Sequence, residues 1–315
     1  MNLSRFFLIV WIFLFTVGSP EVSPGAQTQK VRLSYSSRSN SVTPFQVAAV
    51  KGFFKEEGLD MEMVQVNPRL GAMAVMNGDL DFTSTFGSTL RGVLQGLPLK
   101  FVAVSVKKSE HFLVARRDIK DVQELKGKKI GVSTLLGTDQ TAAEEILRSK
   151  GFNPAQLQIL AVGDAPLRAQ ALRTGMVDAS SISSPHDLLL KDEGFNVLGG
   201  PEDVKYALPT SGIAVGHRTL QERPQLVKQV VRALLKAQHF IFENKQETIN
   251  IMMRWLSQSP QMAAHSYQLT LVSLARNGEI TDYEWERLVE AKKPLADVRD
   301  FTLLRQAQKE LGIRQ

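Results

Sequence analysis

The sequence predicts an α/β protein of two lobes, each a parallel-rich sheet flanked by helices. Three observations carry this expectation. A short pattern occurs twice, as Asn77-Gly78-Asp79-Leu80-Asp81-Phe82-Thr83-Ser84 and as Thr174-Gly175-Met176-Val177-Asp178-Ala179-Ser180-Ser181. In each copy a helix-like stretch ends at a glycine, which suits the left-handed turn that closes a helix. A short strand carrying an inward Asp then runs into hydroxyl residues. Strand and helix signals alternate along the chain, the order that builds parallel sheets. Finally, 315 residues at 43% hydrophobic and 22% charged can fill two ordinary cores, and domain sizes favour two over one.

The elements follow in order. Val31 to Tyr35 alternates as a half-buried strand, residues 36–40 are a polar loop, and Thr43-Pro44 opens a helix that runs through Val47, Val50 and Phe54 to Gly58, with the threonine as capping hydroxyl and the proline in the first turn. Residues 59–66 alternate again, residues 70–76 form a short helix before the first repeat copy, and 101–106 is an apolar strand of the buried kind. A second unit begins near Lys126. It has a strand at 130–133, a glycine-containing turn at 134–138 and a helix from Asp139 to Lys150 that stops at Gly151. A strand at 157–162, a helix capped by Asp164 with Pro166 in its first turn, and the second repeat copy come next. The return segment is 213–215, and from Pro224 a helix carries Val227, Val230, Val231, Leu234 and Leu235 on one stripe. Two crossings between lobes, near 112–118 and 207–216, make a two-strand hinge. The boundaries are then 27–114 plus 212–315 for the first lobe and 115–211 for the second.

The amino terminus is a separate object. Arg5 precedes an apolar run over 6–17, followed by Gly18-Ser19-Pro20 and Ser23-Pro24-Gly25-Ala26. This has the layout of a secretory signal peptide over 1–26, with a core shorter than the roughly 20 residues a spanning helix needs. With no cysteine in the chain, neither a lipid-modified cysteine nor a disulfide can form, so the expected location is the periplasm, without a lipid anchor.

Composition narrows the function classes. A net charge of +6 without a long basic run, and aromatics at 7%, lack the concentrated basic face of a nucleic-acid binder. The five histidines, His111, His186, His217, His239 and His265, are 75, 31, 22 and 26 residues apart, so no helical or strand pair presents two to a metal. No nucleophile elbow or phosphate loop occurs, and Ser105-Val106-Lys107-Lys108 matches Ser-x-x-Lys only at a strand end. Neither catalysis nor a cofactor or metal is expected.

Hydroxyls and helix-start amides mark the candidate site, because both serve a small polar ligand at the carboxyl ends of strands. The candidates are Ser36, Arg38, Asn40 and Thr43 after the first strand, and Ser84, Thr85, Phe86, Gly87 and Ser88 after the repeat strand. In the second lobe they are Ser133, Thr134, Gly137, Thr138, Asp164, Ser183 and Ser184. Arg38 is the expected charged partner of an acidic ligand, since its planar fork binds two oxygens at once. Arg91 and Arg168 follow as charged candidates, with a solvated arginine as the default for each, and Phe86 reads as a stacking or core aromatic. Asp81 and Asp178 read as structural carboxylates, each holding its own loop.

Three stretches in order carry a resemblance. Ala48 to Glu62 is similar to the pattern A-x-x-x-G-F-F-x-x-E-G-L-x-V-x, Asn77 to Phe82 follows at the matching distance, and Leu125 to Val132 resembles the start of a second lobe. Together they resemble ABC-transporter substrate-binding proteins of the nitrate/sulfonate/taurine and thiamine-pyrimidine class. The resemblance implies a type II periplasmic-binding-protein fold whose lobes close by a hinge on a small anionic, aromatic or pyrimidine-like molecule. It also implies docking of a monomer on an inner-membrane permease with its cytoplasmic ATPase. In the signature, Gly52 is expected to let the helix approach the sheet, Phe53 and Phe54 to be buried, and Gly58 to turn the chain into the next strand. The class includes a pyrimidine synthase with a cysteine-rich motif; that motif is missing here.

Overall fold

The computed structural model describes residues 28–314, so the expected signal peptide lies outside the described residues. The first lobe opens with β1 (Gln29–Tyr35), α1 (Thr43–Val50), α2 (Phe53–Glu56), β2 (Leu59–Gln65), α3 (Pro68–Asn77), β3 (Phe82–Thr85), α4 (Gly87–Leu94) and β4 (Leu99–Val106). The second contains β5 (His111–Ala115), β6 (Lys129–Val132), α5 (Thr138–Ser149), β7 (Gln158–Ala161), α6 (Ala165–Arg173), β8 (Ala179–Ser183), α7 (His186–Asp192) and β9 (Asn196–Gly199). The chain returns through β10 (Ser211–Gly216), α8 (His217–Glu222) and α9 (Pro224–Glu243). It finishes with α10 (Lys245–Leu256), α11 (Pro260–Ser273), α12 (Asp282–Val289), α13 (Leu295–Val298) and α14 (Thr302–Glu310).

Two five-stranded sheets result, in the orders β2-β1-β3-β10-β4 and β7-β6-β8-β5-β9. The plan is the same in both. The first three positions hold a parallel trio, and the fourth strand, β10 or β5, runs antiparallel to both its neighbours. Each sheet is therefore mixed. The reversal has a simple origin, because β5 and β10 are the first strands after the chain has crossed from the other lobe, so they leave the cleft where the parallel strands arrive. β5 already belongs to the second sheet, which moves the first crossing to residues 107–110, ahead of the expected 112–118.

The repeated pattern has one physical meaning in both lobes. Gly78 (φ 84°) closes α3 and Gly175 (φ 73°) closes α6, a conformation that a side chain would strain. Each aspartate then sits just ahead of its strand, at the sheet end away from the cleft, rather than pointing inward. Asp81 accepts from the Arg32 amide at 2.8 Å and Asp178 from the Lys129 amide at 2.9 Å, tying the start of the third strand to that of the first. Arg223 pairs with Asp81 at 2.9 Å and Arg116 with Asp178 at 3.1 Å.

Two local expectations change. The helix from Thr43 does not run unbroken to Gly58: Gly52 adopts φ 79° with open space where a side chain would go, so it breaks α1 from α2 rather than easing helix-to-sheet packing. Thr43 is itself helical and its side chain caps nothing; Val42 holds the cap position. Phe54 is buried, whereas Phe53 is half-buried, edge-on to Phe240 of α9. The α9 stripe of Val227, Val230, Val231, Leu234 and Leu235 is fully buried in the larger core, and two smaller clusters lie in the second lobe.

Candidate functional site

The carboxyl ends of β1, β3, β6 and β8 converge between the lobes on a chamber of about 60 Å³. The first lobe supplies Ser36, Ser37, Ser39 and Ser41 from the loop after β1, Pro68 at the start of α3, and Thr85, Gly87 and Ser88 where β3 passes into α4. The second supplies Ser133, Thr134, Gly137, Thr138 and Asp139 between β6 and α5, Asp164 and Arg168 of α6, and Ser183 at the end of β8. His111 and Thr210, at the two crossings, complete the wall. In open α/β sheets this edge is where ligands bind.

The lobes touch around the chamber. Thr138 Oγ1 donates to the Pro209 carbonyl at 3.1 Å, Gln65 Nε2 to Asp164 Oδ2 at 3.1 Å, and the Asn40 amide to the Ser184 carbonyl at 3.4 Å. On the other side of the Gly87–Thr138 contact lies a larger groove of about 610 Å³, walled by the flanks of α4, α5 and α12 with Tyr206 and Leu208. The chamber is the better candidate, because strand-end loops and helix starts from both sheets face it, whereas helix flanks wall the groove.

Charge in the chamber is organised around one buried pair. Arg168 and Asp139 expose 3% and 4% of their side chains and are joined through Arg168 Nη1 and Asp139 Oδ2. Asp139 also accepts from the Ser133 amide at 2.5 Å and from Ser133 Oγ at 2.8 Å. Burial pulls the Arg168 guanidinium down, and the Asp139 and Asp164 carboxylates hold it up; a guanidinium so placed stays charged. Asp164 caps α6 by accepting from the Leu167 amide at 3.1 Å. His111 keeps part of its ring on the chamber but is enclosed by protein. Burial therefore pushes its pKa down to about 4, against the attraction of Asp139 and with the repulsion of Arg168.

Six of the sequence-predicted residues are not brought to the chamber wall. Arg38 is exposed and lies over the Trp255 ring, 4.8 Å from its centroid, because Trp255 of α10 offers it a π-face. Asn40 is buried and donates to the Ser266 carbonyl at 3.4 Å, and Thr43 is enclosed in the first turn of α1. Ser84 turns into the sheet, its hydroxyl donating to the Ser34 carbonyl at 2.9 Å. Phe86 is a core aromatic, 4.3 Å from Phe101 and 5.5 Å from Trp285 between ring centres. Ser184 donates to Asp187 at 2.6 Å. The other ten predicted residues, Ser36, Thr85, Gly87, Ser88, Ser133, Thr134, Gly137, Thr138, Asp164 and Ser183, line it.

Sequence reasoning missed Asp139 and His111, along with Ser37, Ser39, Ser41, Pro68 and Thr210, and ranked Arg168 behind Arg38 with a solvated side chain as its default. A signal existed for the first, an aspartate one residue past the glycine-threonine start of a helix; none existed for the Arg168 partner 29 residues on. Among the described residues no group of three or more His, Cys, Asp or Glu side chains could hold a metal ion, and no helix is long and apolar enough to cross a membrane.

Two similarly ordered mixed sheets with strand-end loops facing a common cleft define a two-lobed binding-protein fold. Residues 39–248 match the family described as NMT1/THI5 like, and the chain belongs to that family. Among curated relatives it is similar to the riboflavin-binding protein RibY of Chloroflexus aurantiacus, at 24% identity over 249 residues, 76% of this chain and 70% of that one. Among solved structures it resembles the alkanesulfonate-binding protein SsuA of Xanthomonas axonopodis pv. citri bound to MOPS. That likeness has a TM-score of 0.68 and 18% identity, over 90% of this chain and 98% of the other. The periplasmic nitrate-binding protein NrtA of Synechocystis PCC 6803 gives a TM-score of 0.68 at 14% identity, over 92% and 90%.

Proposed function

We propose that this protein is the solute-binding component of an ABC importer, exported without a lipid anchor, whose lobes close on one small polar molecule and then dock on a membrane permease. One observation carries the reading: the chamber is walled by strand-end loops of both sheets and by the two crossings. Its occupant therefore touches both lobes and is released only by their separation. Membership of a family with binding proteins among its relatives supports the same reading. The residues proposed to touch the ligand are the ten predicted ones at the wall together with Arg168 and His111.

The wall offers hydroxyls and a paired guanidinium; the hydroxyl beside His111, Ser109 Oγ at 3.0 Å from Nδ1, is buried and does not line the chamber, and His111 is a poor base near neutral pH, so binding without turnover is the function the geometry serves. The test is mass spectrometry of whatever co-purifies with the native protein, followed by thermal shift and product analysis with that compound. Binding to the folded state alone raises stability by about 2.7 kcal/mol at a hundredfold excess over Kd. Conversion of the compound at catalytic protein concentrations would replace this reading with an enzyme of the same fold.

A further inference from the structure

Resting on that reading, we propose that the ligand carries no net negative charge, and that Asp139 sets this selectivity by neutralising Arg168.

Arg168 is the sole lysine or arginine among the described residues that line the chamber. A guanidinium free to present its fork would grip a carboxylate, sulfonate or nitrate through two parallel hydrogen bonds. Here Nη1 is taken by Asp139, which two hydrogen bonds from Ser133 hold in place. Nε is buried and has no partner. The cation is thus neutralised from within the protein, while the Nε–H and the N–H groups that Asp139 does not take remain to be satisfied. An oxyanion at those N–H groups would lie beside a fixed carboxylate, and like charges at that range repel.

The remaining groups point the same way. Asp164 adds a second carboxylate, and His111 supplies no positive charge near neutral pH. Four helices, α3, α4, α5 and α6, start at the chamber, and helix starts attract anions. Two of them already have their answer: α5 has Asp139 in its first turn and α6 is capped by Asp164. α3, capped by the neutral Asn67, and α4 begin without an acidic residue. What the wall leaves open is the N–H groups of Arg168 that Asp139 does not take, the starts of α3 and α4, and serine and threonine hydroxyls, with Asp164 as acceptor. That set fits an uncharged hydrogen-bonding edge, an acceptor for Arg168 beside an N–H or O–H for Asp164, as on a heterocyclic amide. In this the chain departs from neighbours described as binding sulfonate and nitrate.

The experiment measures binding of methanesulfonate and nitrate to the full mature chain, its Asp139→Asn variant and the double variant Asp139→Asn/Arg168→Gln, by calorimetry and thermal shift. The wild type is expected to show no binding at about 10 mM of either anion, above the millimolar range where contacts count for little. Asp139→Asn keeps the shape and releases the guanidinium, so methanesulfonate should bind at least about 100-fold tighter than to wild type and restore its melting temperature, and the double variant should lose this gain. Asp139→Ser serves as the second variant should the asparagine form fail to fold. Sub-millimolar binding of either anion by wild type would overturn the inference and leave the importer reading in place. So would a folded Asp139 variant that gains no anion binding. Turnover of a bound compound would do the reverse, removing the importer reading without touching the charge selectivity.

Discussion

Gly87, the first residue of α4 in one lobe, lies so close to Thr138, the first residue of α5 in the other, that a Cβ on the glycine would fall 2.5 Å from the Thr138 backbone nitrogen and 3.1 Å from its Cα. Backbone cannot yield as a flexible side chain can. Gly87→Ala should therefore hold the lobes apart while leaving each intact, since alanine suits a helix better than glycine. The expected loss of ligand affinity is about 1–3 kcal/mol, the scale of an overpacked contact, read by calorimetry with the co-purified ligand. Small-angle scattering should show a larger ligand-bound particle than wild type, and an unchanged Kd would count against this contact as the closing point.

Arg38 and Arg168 should behave as opposites. Arg38→Ala removes a contact with Trp255 at a residue that does not line the chamber, costing about 0.5–1 kcal/mol of stability and nothing in affinity. Arg168→Leu leaves Asp139 buried without its cation, which costs about 3–5 kcal/mol. Glu56→Ala, at a residue that pairs with Lys236 far from the chamber, is the neutral control for affinity. Denaturation and calorimetry on the three variants decide this, and a weakened ligand in Arg38→Ala would restore the sequence-based expectation.

The two repeat aspartates should cost stability alone. Asp81→Ala and Asp178→Ala each remove a hydrogen bond to a strand-starting amide and an arginine contact, about 1–3 kcal/mol apiece. They lie in different lobes and share no partner, so their effects should add. A drop in affinity with either variant would give that carboxylate a role the fold does not suggest.

Glu110 lies in the first crossing, 2% exposed, with neither carboxylate oxygen hydrogen-bonded. Burial and the nearby Asp187 carboxylate push its pKa from 4.5 up to about 8, with Ser273 pulling the other way. Such an acid takes up a proton on folding, so its contribution is present at low pH and is lost as pH rises from 4.5 through 8. His111, lowered from 6.5 to about 4, acts in the opposite sense, its contribution being present above 6.5 and lost as pH falls through 4. The two offset each other up to pH 6.5. Above it His111 no longer offsets Glu110, whose contribution falls by about 1.4 kcal/mol per pH unit, or about 2 kcal/mol by pH 8. Urea unfolding at pH 6.5 and pH 8 should show this fall in wild type and a flatter response in Glu110→Gln; equal slopes would mean that Glu110 is not the titrating group.

Export is tested at the protein's own amino terminus. With an Arg5-led apolar run followed by small residues, the mature chain is expected to begin between Ser19 and Lys30. Amino-terminal sequencing of native protein that returned Met1 would remove that expectation.

The sequence by itself determined the two-lobed plan, the doubled helix-glycine-aspartate-strand unit and the hydroxyl-rich loops at the strand ends. These are local matters: a glycine past a helix end, an alternation of period two and a proline in a first turn act through neighbouring residues. Ser36, Thr85, Gly87, Ser88, Ser133, Thr134, Gly137, Thr138, Asp164 and Ser183 were legible for that reason, since a loop leaving the carboxyl end of a strand reaches the cleft wherever its helix packs. Tertiary structure decided the rest. Ser36 and Arg38 share one loop, yet the serine lines the chamber and the arginine lies over Trp255, more than 200 residues away. Arg168 reads as a solvated helix arginine until folding buries it against Asp139, and β5 reads as part of the first lobe until it pairs with β8 and β9. In each case the deciding partner is remote in sequence. Local pattern fixes where the backbone goes, whereas the direction of a side chain and the charge it meets are fixed by surfaces that exist only once the chain has packed.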